Sequence, residues 1–516
     1  MKMFLCSLLC VSLFSSVFSQ VPQQTYRNPV ISGDFPDPSI IRVGEDYYAA
    51  GTSSEFAPNY PLYHSVDLIN WEKIGFIFLE TPEWIEGSCW APELFYQNET
   101  FYAYYTARKK SDHTSCIGVA TTKNIRKGFT DHGILIEWGN EAIDAFVFRD
   151  TDEKLYISWK AYGLDPTRPI ELLSSEMRPD GLALTGNVFS LTQHDKGWDG
   201  HGDEGQCIVK HGNYYYLLYS IGGCCDNRCD YRVKVARATS LKGTWEQYPD
   251  PILEGGGLWR CSGHGTLVQT PDQRYFYLYH AYHQSDFEFI GRQGLLDELL
   301  WDETSEWPYF RDGKNPTAQT AIPFPNTQQE RKSVFFDNFS SEEKSIYWQW
   351  DMKRPKPTIL RTKDGLKLSG NSEVPFVFLG TSPIAGNYTM ETAIVTDENT
   401  FKGLSVYGNT GNYVVWGIQG NEIRAYEVKN NEKKLLHQSV LEKKPQYLKI
   451  ESIVGRMFRF YWSEDGNEWH TYMENNTHYD GSFIPRWGAG IHVGLFLEND
   501  KGETGTFSWF RLRVKN

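Results

Sequence analysis

One phrase recurs five times along the chain, and no other feature restricts the fold as much. It reads FPDPSIIRVGEDYYAAGTSS around Asp37, WAPELFYQNETFYAYYTAR around Glu93, IDAFVFRDTDEKLYISWKAY from Asp144, DEGQCIVKHGNYYYLLYS from Glu204 and GHGTLVQTPDQRYFYLYHAY from His264. Each copy has a polar anchor, a short run of strand formers, a polar turn and an aromatic strand. The turns at Gly44–Asp46, Asn98–Thr100, Asp150–Glu153, His211–Asn213 and Pro271–Gln273 have hairpin composition. The anchors stand at 37, 93, 144, 204 and 264, spaced by 56, 51, 60 and 60 residues. A unit of this size cannot bury its own apolar face, so it must stack on its neighbours. Five such units predict a five-bladed β-propeller with four strands to a blade. With each anchor at the start of an innermost strand, all five anchors meet at one end of the axis. Gathered carboxylates repel one another, so chemistry rather than stability is the reason to place them there.

After about residue 315 the pattern changes. The stretch NPTAQTAIPFPNTQQERKS is polar and contains proline, which reads as a linker. Beyond Phe335 come short alternating strands such as YTMETAIVT, NYVVWGI, LKIESIVG and FSWFRLRV, with no sustained helical period. These predict a β-sandwich. The chain is therefore expected to be all-β. Its expected divisions are a signal peptide over 1–19, a propeller over 20–325, and a sandwich over 326–516 with the short linker at its start.

The first twenty residues, MKMFLCSLLCVSLFSSVFSQ, have one lysine, an apolar run and small residues at Ser16 and Ser19. That is the layout of a secretory signal, too short and too polar at its end for a membrane span. Secretion to a periplasm or to the outside is the expected fate. The net charge of −14 argues against a nucleic-acid partner. Of nine cysteines, seven lie beyond the signal, and an odd number leaves at least one unpaired within a monomer. The cluster GGCCDNRC is a candidate disulfide site in an oxidising compartment. Zinc-like spacing of a second Cys or His pair is absent from it.

A glycosidic bond is hydrolysed by two carboxylates, one protonated to assist the leaving oxygen and one ionised to activate water or to attack. A third acid nearby can raise the pKa of the first. Asp37, Asp144 and Glu204 supply such a trio. The motifs FPDPSI, WAPELF, IDAFVFRD, DEGQCIVK, GHGTLV and GRQ stand in the order seen in family 43 of the glycoside hydrolases, and the chain resembles that family over roughly residues 26–320. The tail resembles the concanavalin-like sandwich attached to its β-xylosidase and α-L-arabinofuranosidase members.

The resemblance implies roles. Asp37 of DPS would be the general base, Asp144 the acid that tunes pKa and orients the donor, and Glu204 the general acid, its pKa raised by Asp144 and burial. Inversion of the anomeric centre would follow. His264 would lie beneath the sugar, Arg292 of GRQ would bond a pentose hydroxyl, and Trp90 would wall the subsite. Phe35 and Phe146 flank the acids and are candidates for an apolar wall. Phe401 resembles a residue by which the sandwich reaches the pocket. Glu93 is expected to be structural, Asp34 a loop residue, and Asp199 and Asp203 loop acids on the rim.

The expected substrate is an oligosaccharide of the plant cell wall, from which terminal α-L-arabinofuranosyl residues are removed. β-D-Xylosidase activity on the same site is the alternative. A non-catalytic sugar-binding propeller is disfavoured by the intact acid trio. A retaining fructosidase is disfavoured by the absence of an Asn-Asp-Pro-Asn pattern. No organic cofactor is implied; a structural Ca²⁺ is compatible with either domain, but no residue set marks a metal position. Oligomeric state is left open.

Overall fold

Each copy of the repeat opens an antiparallel sheet whose strands pair in chain order. The computed structural model describes residues 24–165, 168–192, 203–225, 229–371, 373–395, 400–499 and 502–515. The expected signal segment and Asp199 lie outside these. The first sheet holds Ser39–Val43, Asp46–Ala50, Asn59–Ser65 and Glu72–Phe78. The second holds Ile85–Gln97, Thr100–Lys109, Ser115–Thr122 and Thr130–Ile136. The third holds Glu141–Arg149, Leu155–Asp165, Arg168–Glu176 and Phe189–Ser190. Glu204–His211, Tyr214–Ile221, Arg232–Ala238 and Glu246–Gln247 form the fourth, with Leu253–Glu254 also on its third strand. The fifth holds Trp259–Gln269, Tyr275–His283, Arg292–Trp301 and Pro308–Phe310. The first strand of each sheet touches the first strands of both neighbours, and the fifth returns to the first, so the sheets close a ring.

In or just before each first strand stands a residue at positive φ: Asp37 (52°), Ala91 (40°), Asp144 (58°), Gly205 (57°) and His264 (44°). In the second to fifth sheets a register shift falls at this point, as a β-bulge produces. Such a conformation is unfavourable for most side chains, and a bulge bends the strand and re-aims what it carries. Its N–H is then satisfied from the neighbouring sheet. Thr52 Oγ1 accepts from Ala91 (2.8 Å), Thr106 Oγ1 from Asp144 (3.0 Å), Ser220 Oγ from His264 (2.8 Å) and His280 Nδ1 from Asp37 (3.1 Å).

These bulges correct the expected equivalence of the anchors. Asp37, Asp144 and His264 do share one position. Glu93 lies two residues past its bulge at Ala91. There it accepts from Ser39 Oγ (2.6 Å) and Val147 N (3.5 Å), linking three sheets, and burial pushes its carboxyl up to about 8. Glu204 lies one residue before its bulge and pairs with Ser220, as Trp90 pairs with Thr106. A bulge inserts one residue into one strand only, and sequence spacing alone does not show where.

The proline-containing stretch after 315 is not a free linker throughout. Gln319–Ala321 pairs with Thr25–Arg27, and the Asn28 side chain donates to Thr317 O (3.1 Å), tying the two ends of the ring together. The remaining residues form a sheet of eight strands and a sheet of six around a buried core that includes Trp348, Trp416, Phe458 and Phe507. Trp350–Asp351 pairs with Phe56–Ala57 and joins this unit to the first sheet.

Candidate active site

Asp37, Asp144 and His264 line one narrow cavity at the ring's centre, with Gly205 and Phe146 beside them. Asp37 is buried. Its Oδ1 accepts from Arg292 Nη1 (2.7 Å) and lies 3.4 Å from His264 Nδ1, and its Oδ2 accepts from the Thr52 hydroxyl (2.7 Å). Burial alone would raise its pKa, but the Arg292 charge, followed by His264, more than offsets it, and the carboxyl is held well below the usual range. His280 Nδ1 also lies 3.3 Å from Asp37 Oδ1. Burial and the Arg292 charge push this imidazole down to about 4, so it is neutral, and its Nδ1 accepts the Asp37 N–H instead of forming an ion pair.

Glu204 accepts from Lys160 Nζ and from the Tyr231 hydroxyl (2.7 Å). Lys160 occupies the step of the third sheet at which the other sheets carry Thr52, Thr106, Ser220 and His280. It cannot accept an N–H, and instead gives a charge to the glutamate beside the next bulge. Burial acts to raise Glu204, but Lys160, His264 and Tyr231 outweigh it, and its pKa is lowered. This corrects the expected upward shift. The neighbour shifts the other way: burial, with the Glu204 and Asp37 charges, pushes Asp144 up to about 6 against the pull of His264 and Lys160. Gly205 is required here, because a Cβ on it would stand 2.6 Å from His264 Cγ.

Arg292 is buried, and its Nη2 donates to Gly488 O of the C-terminal unit (3.0 Å). Asp34 corrects its reading as a plain loop residue. It accepts from Arg292 N and Gly490 N (2.9 Å each), and burial pushes it up to about 6. The segment through Gly488 and Gly490 is thus where the sandwich meets the site. Phe401 does not: it is buried among Phe376, Tyr413 and Phe496, with the Arg424 guanidinium 4.2 Å over its ring.

Phe35 is 1% exposed and packs edge-on against Tyr63 (5.0 Å), so it offers no face to a sugar. Phe146 lines the central cavity but belongs largely to the core around Cys207. Trp90 is half-buried next to the bulge at Ala91, with Arg108 5.9 Å over its ring. Asp203 is fully buried, not a rim acid. Disulfides join Cys224 to Cys225 and Cys229 to Cys261, while Cys89, Cys116 and Cys207 are free and buried. Cys261 and Tyr231 share one small apolar cluster. Among the described residues no group of three or more His, Cys, Asp and Glu side chains could hold a metal ion, and no helix is long and apolar enough to cross a membrane.

The sequence reading missed Lys160, Tyr231, Thr52 and His280. Lys160 carried a signal, as the single charge in the strand ISWKAY at the step where its counterparts carry Thr, Ser or His.

Paired acids at the centre of a ring of sheets, one held ionised and another poised near neutrality, are the equipment of a glycoside hydrolase. The profile of glycosyl hydrolases family 43 matches residues 26–308, more than half of the chain, and the chain belongs to that family. The profile of the β-xylosidase C-terminal concanavalin A-like domain matches residues 336–513. A β-xylosidase of Bacillus subtilis is 26% identical, covering 95% of this chain and 99% of its own. A non-reducing end α-L-arabinofuranosidase of Bacteroides ovatus is 28% identical over 76% of this chain and 75% of its own. The crystal structure of a family 43 protein from Bacillus licheniformis superposes with a TM-score of 0.80 at 24% identity, covering 95% of this chain and all of that one.

Proposed function

We propose that the chain is an exo-acting, inverting glycosidase built on a five-bladed propeller, and that it releases terminal α-L-arabinofuranosyl residues from hemicellulose oligosaccharides after export through its N-terminal segment. The feature that carries this reading is the opposed pull of the site on its acids. Asp37 is held ionised by Arg292, while Asp144, beside Glu204, is pushed up to about 6. Asp37 takes a proton from water as the water oxygen attacks the anomeric carbon. Glu204 gives its proton to the departing glycosidic oxygen. Exo action is supported by the segment at Gly488 and Gly490, which abuts the Asp37 side of the pocket.

A second reading, β-D-xylosidase, is favoured by the description of the C-terminal profile and by the name of the Bacillus subtilis relative that matches end to end. Aryl α-L-arabinofuranoside and aryl β-D-xyloside, assayed side by side, separate the two. A tenfold preference in kcat/KM, about 1.4 kcal/mol at the transition state, assigns the sugar. Proton NMR of the first-formed anomer tests inversion. Turnover of neither substrate sinks the glycosidase reading.

A further inference from the structure

Lys73 is a buried lysine that pairs with no carboxylate among the described residues. It is 9% exposed, and desolvation alone acts on its charge, pushing it down to about 7. Its Nζ lies 4.3 Å from the centre of the Phe76 ring and 5.8 Å from that of Tyr347. It borders a cavity of about 90 Å³ between the first sheet and the C-terminal unit. A cavity of this size takes a few water-sized occupants.

The walls mix polar groups with Pro61, Ile384 and tyrosine rings. Tyr63 and Lys73 come from the first sheet, and Tyr347, Ser382 and His492 from the C-terminal unit. His492 Nε2 lies 3.3 Å from Gln349 Oε1, so Nε2 carries the ring's N–H and is spent on that contact. Asp34 is the one carboxylate on the lining, and both of its oxygens already accept backbone N–H groups, from Arg292 and Gly490. An ammonium enclosed in this way is costly unless a counter-charge joins it.

The geometry points to an anion site between the two units, in which Lys73, with the lining hydroxyls, holds a small inorganic anion of halide size. The cavity accounts for the missing counter-ion, and its two-sided lining would let the anion fasten the C-terminal unit to the ring. Thr52 and Asp34 also border the cavity, so the anion would lie directly behind the residues that support Asp37 and Arg292. None of this depends on which sugar the active site takes.

The test uses crystals of the full chain soaked in sodium bromide, with diffraction recorded at the bromine absorption edge. An anomalous peak in the cavity within about 3.5 Å of Lys73 Nζ is expected. The melting temperature of the wild type should rise by several degrees in sodium bromide over sodium gluconate at equal ionic strength. In Lys73→Met, or in Lys73→Gln should the first variant not fold, that salt preference should vanish. A wild-type map with no anomalous peak in the cavity overturns the proposal, whatever the melting curves do.

Discussion

Lys160 bonds Glu204 from the step of the third sheet at which Thr52, Thr106, Ser220 and His280 stand in the other four. Those four accept an N–H and serve the ring. Lys160 gives up that structural duty and sets the charge of an acid instead. If Glu204 delivers the proton, activity falls as pH rises through its pKa. Removing the ammonium raises that pKa. In Lys160→Met the basic limb of the kcat/KM profile should therefore move up by about one to three pH units, the range of a single close charge. An unmoved limb would mean that Lys160 does not act through Glu204. Tyr231→Phe removes the other donor and should move the limb the same way by less.

Glu204→Gln keeps the shape and loses the proton. General acid assistance contributes about 10²–10⁴-fold, and more is needed when the leaving group is poor. Turnover of natural oligosaccharides should fall by at least that factor. A dinitrophenyl glycoside, whose leaving group needs no proton, should lose far less. Equal losses on both substrates would take the acid role away from Glu204.

How much of this was legible follows from where the determinants lie. Asp37, Asp144 and His264 were readable because the repeat places them at equivalent positive-φ positions. Glu93 and Glu204 were assigned the same position, but a bulge shifts the count by one or two residues without changing the composition. Asp34 meets Gly490 across 456 residues, and nothing local to either segment marks the contact. Phe35 was misread because a phenylalanine beside a catalytic acid has the same sequence signature whether it faces a ligand or, as here, the tight space over Gly51 and Gly294.

Arg292→Met tests the opposite limb. Asp37 must be ionised to act as a base, so activity rises as pH climbs through its pKa. Without the guanidinium at 2.7 Å that pKa rises, and the acidic limb of kcat/KM should shift to higher pH. Arg292→Lys keeps a charge but loses the planar fork that reaches both Asp37 and Gly488. It should keep more of the limb position than of kcat.

Asp144→Asn separates function from stability. Asp144 titrates near 6 in the fold, above its ordinary 3.8, so between these values the native state binds more protons than the unfolded chain. Stability from this group is present below the ordinary value and is lost as pH rises through about 6. An amide has no such penalty, and asparagine accepts the positive φ of this position better than most residues. The variant should lose activity, melt higher than wild type at pH 7.5, and show little gain at pH 4.5. Asp34 titrates in the same range in both proteins, so the difference between them isolates Asp144.

The Cys229–Cys261 disulfide connects the loop that carries Tyr231 to the strand that carries His264. Both residues face Glu204, by hydrogen bond and by charge. The bridge closes a loop with a sequence separation of 32, for which chain entropy gives about 3–4 kcal/mol. Cys229→Ser should lower the melting temperature accordingly. It should also lower kcat more than it raises KM, because the loosened parts hold the proton donor rather than bind sugar uniformly. A thiol reductant should reproduce both effects in wild type and leave the kinetics of the variant nearly unchanged, apart from any contribution of the Cys224–Cys225 bridge. A melting point that drops while kcat and KM stay fixed would make the disulfide a staple of the fold and no part of the site's positioning.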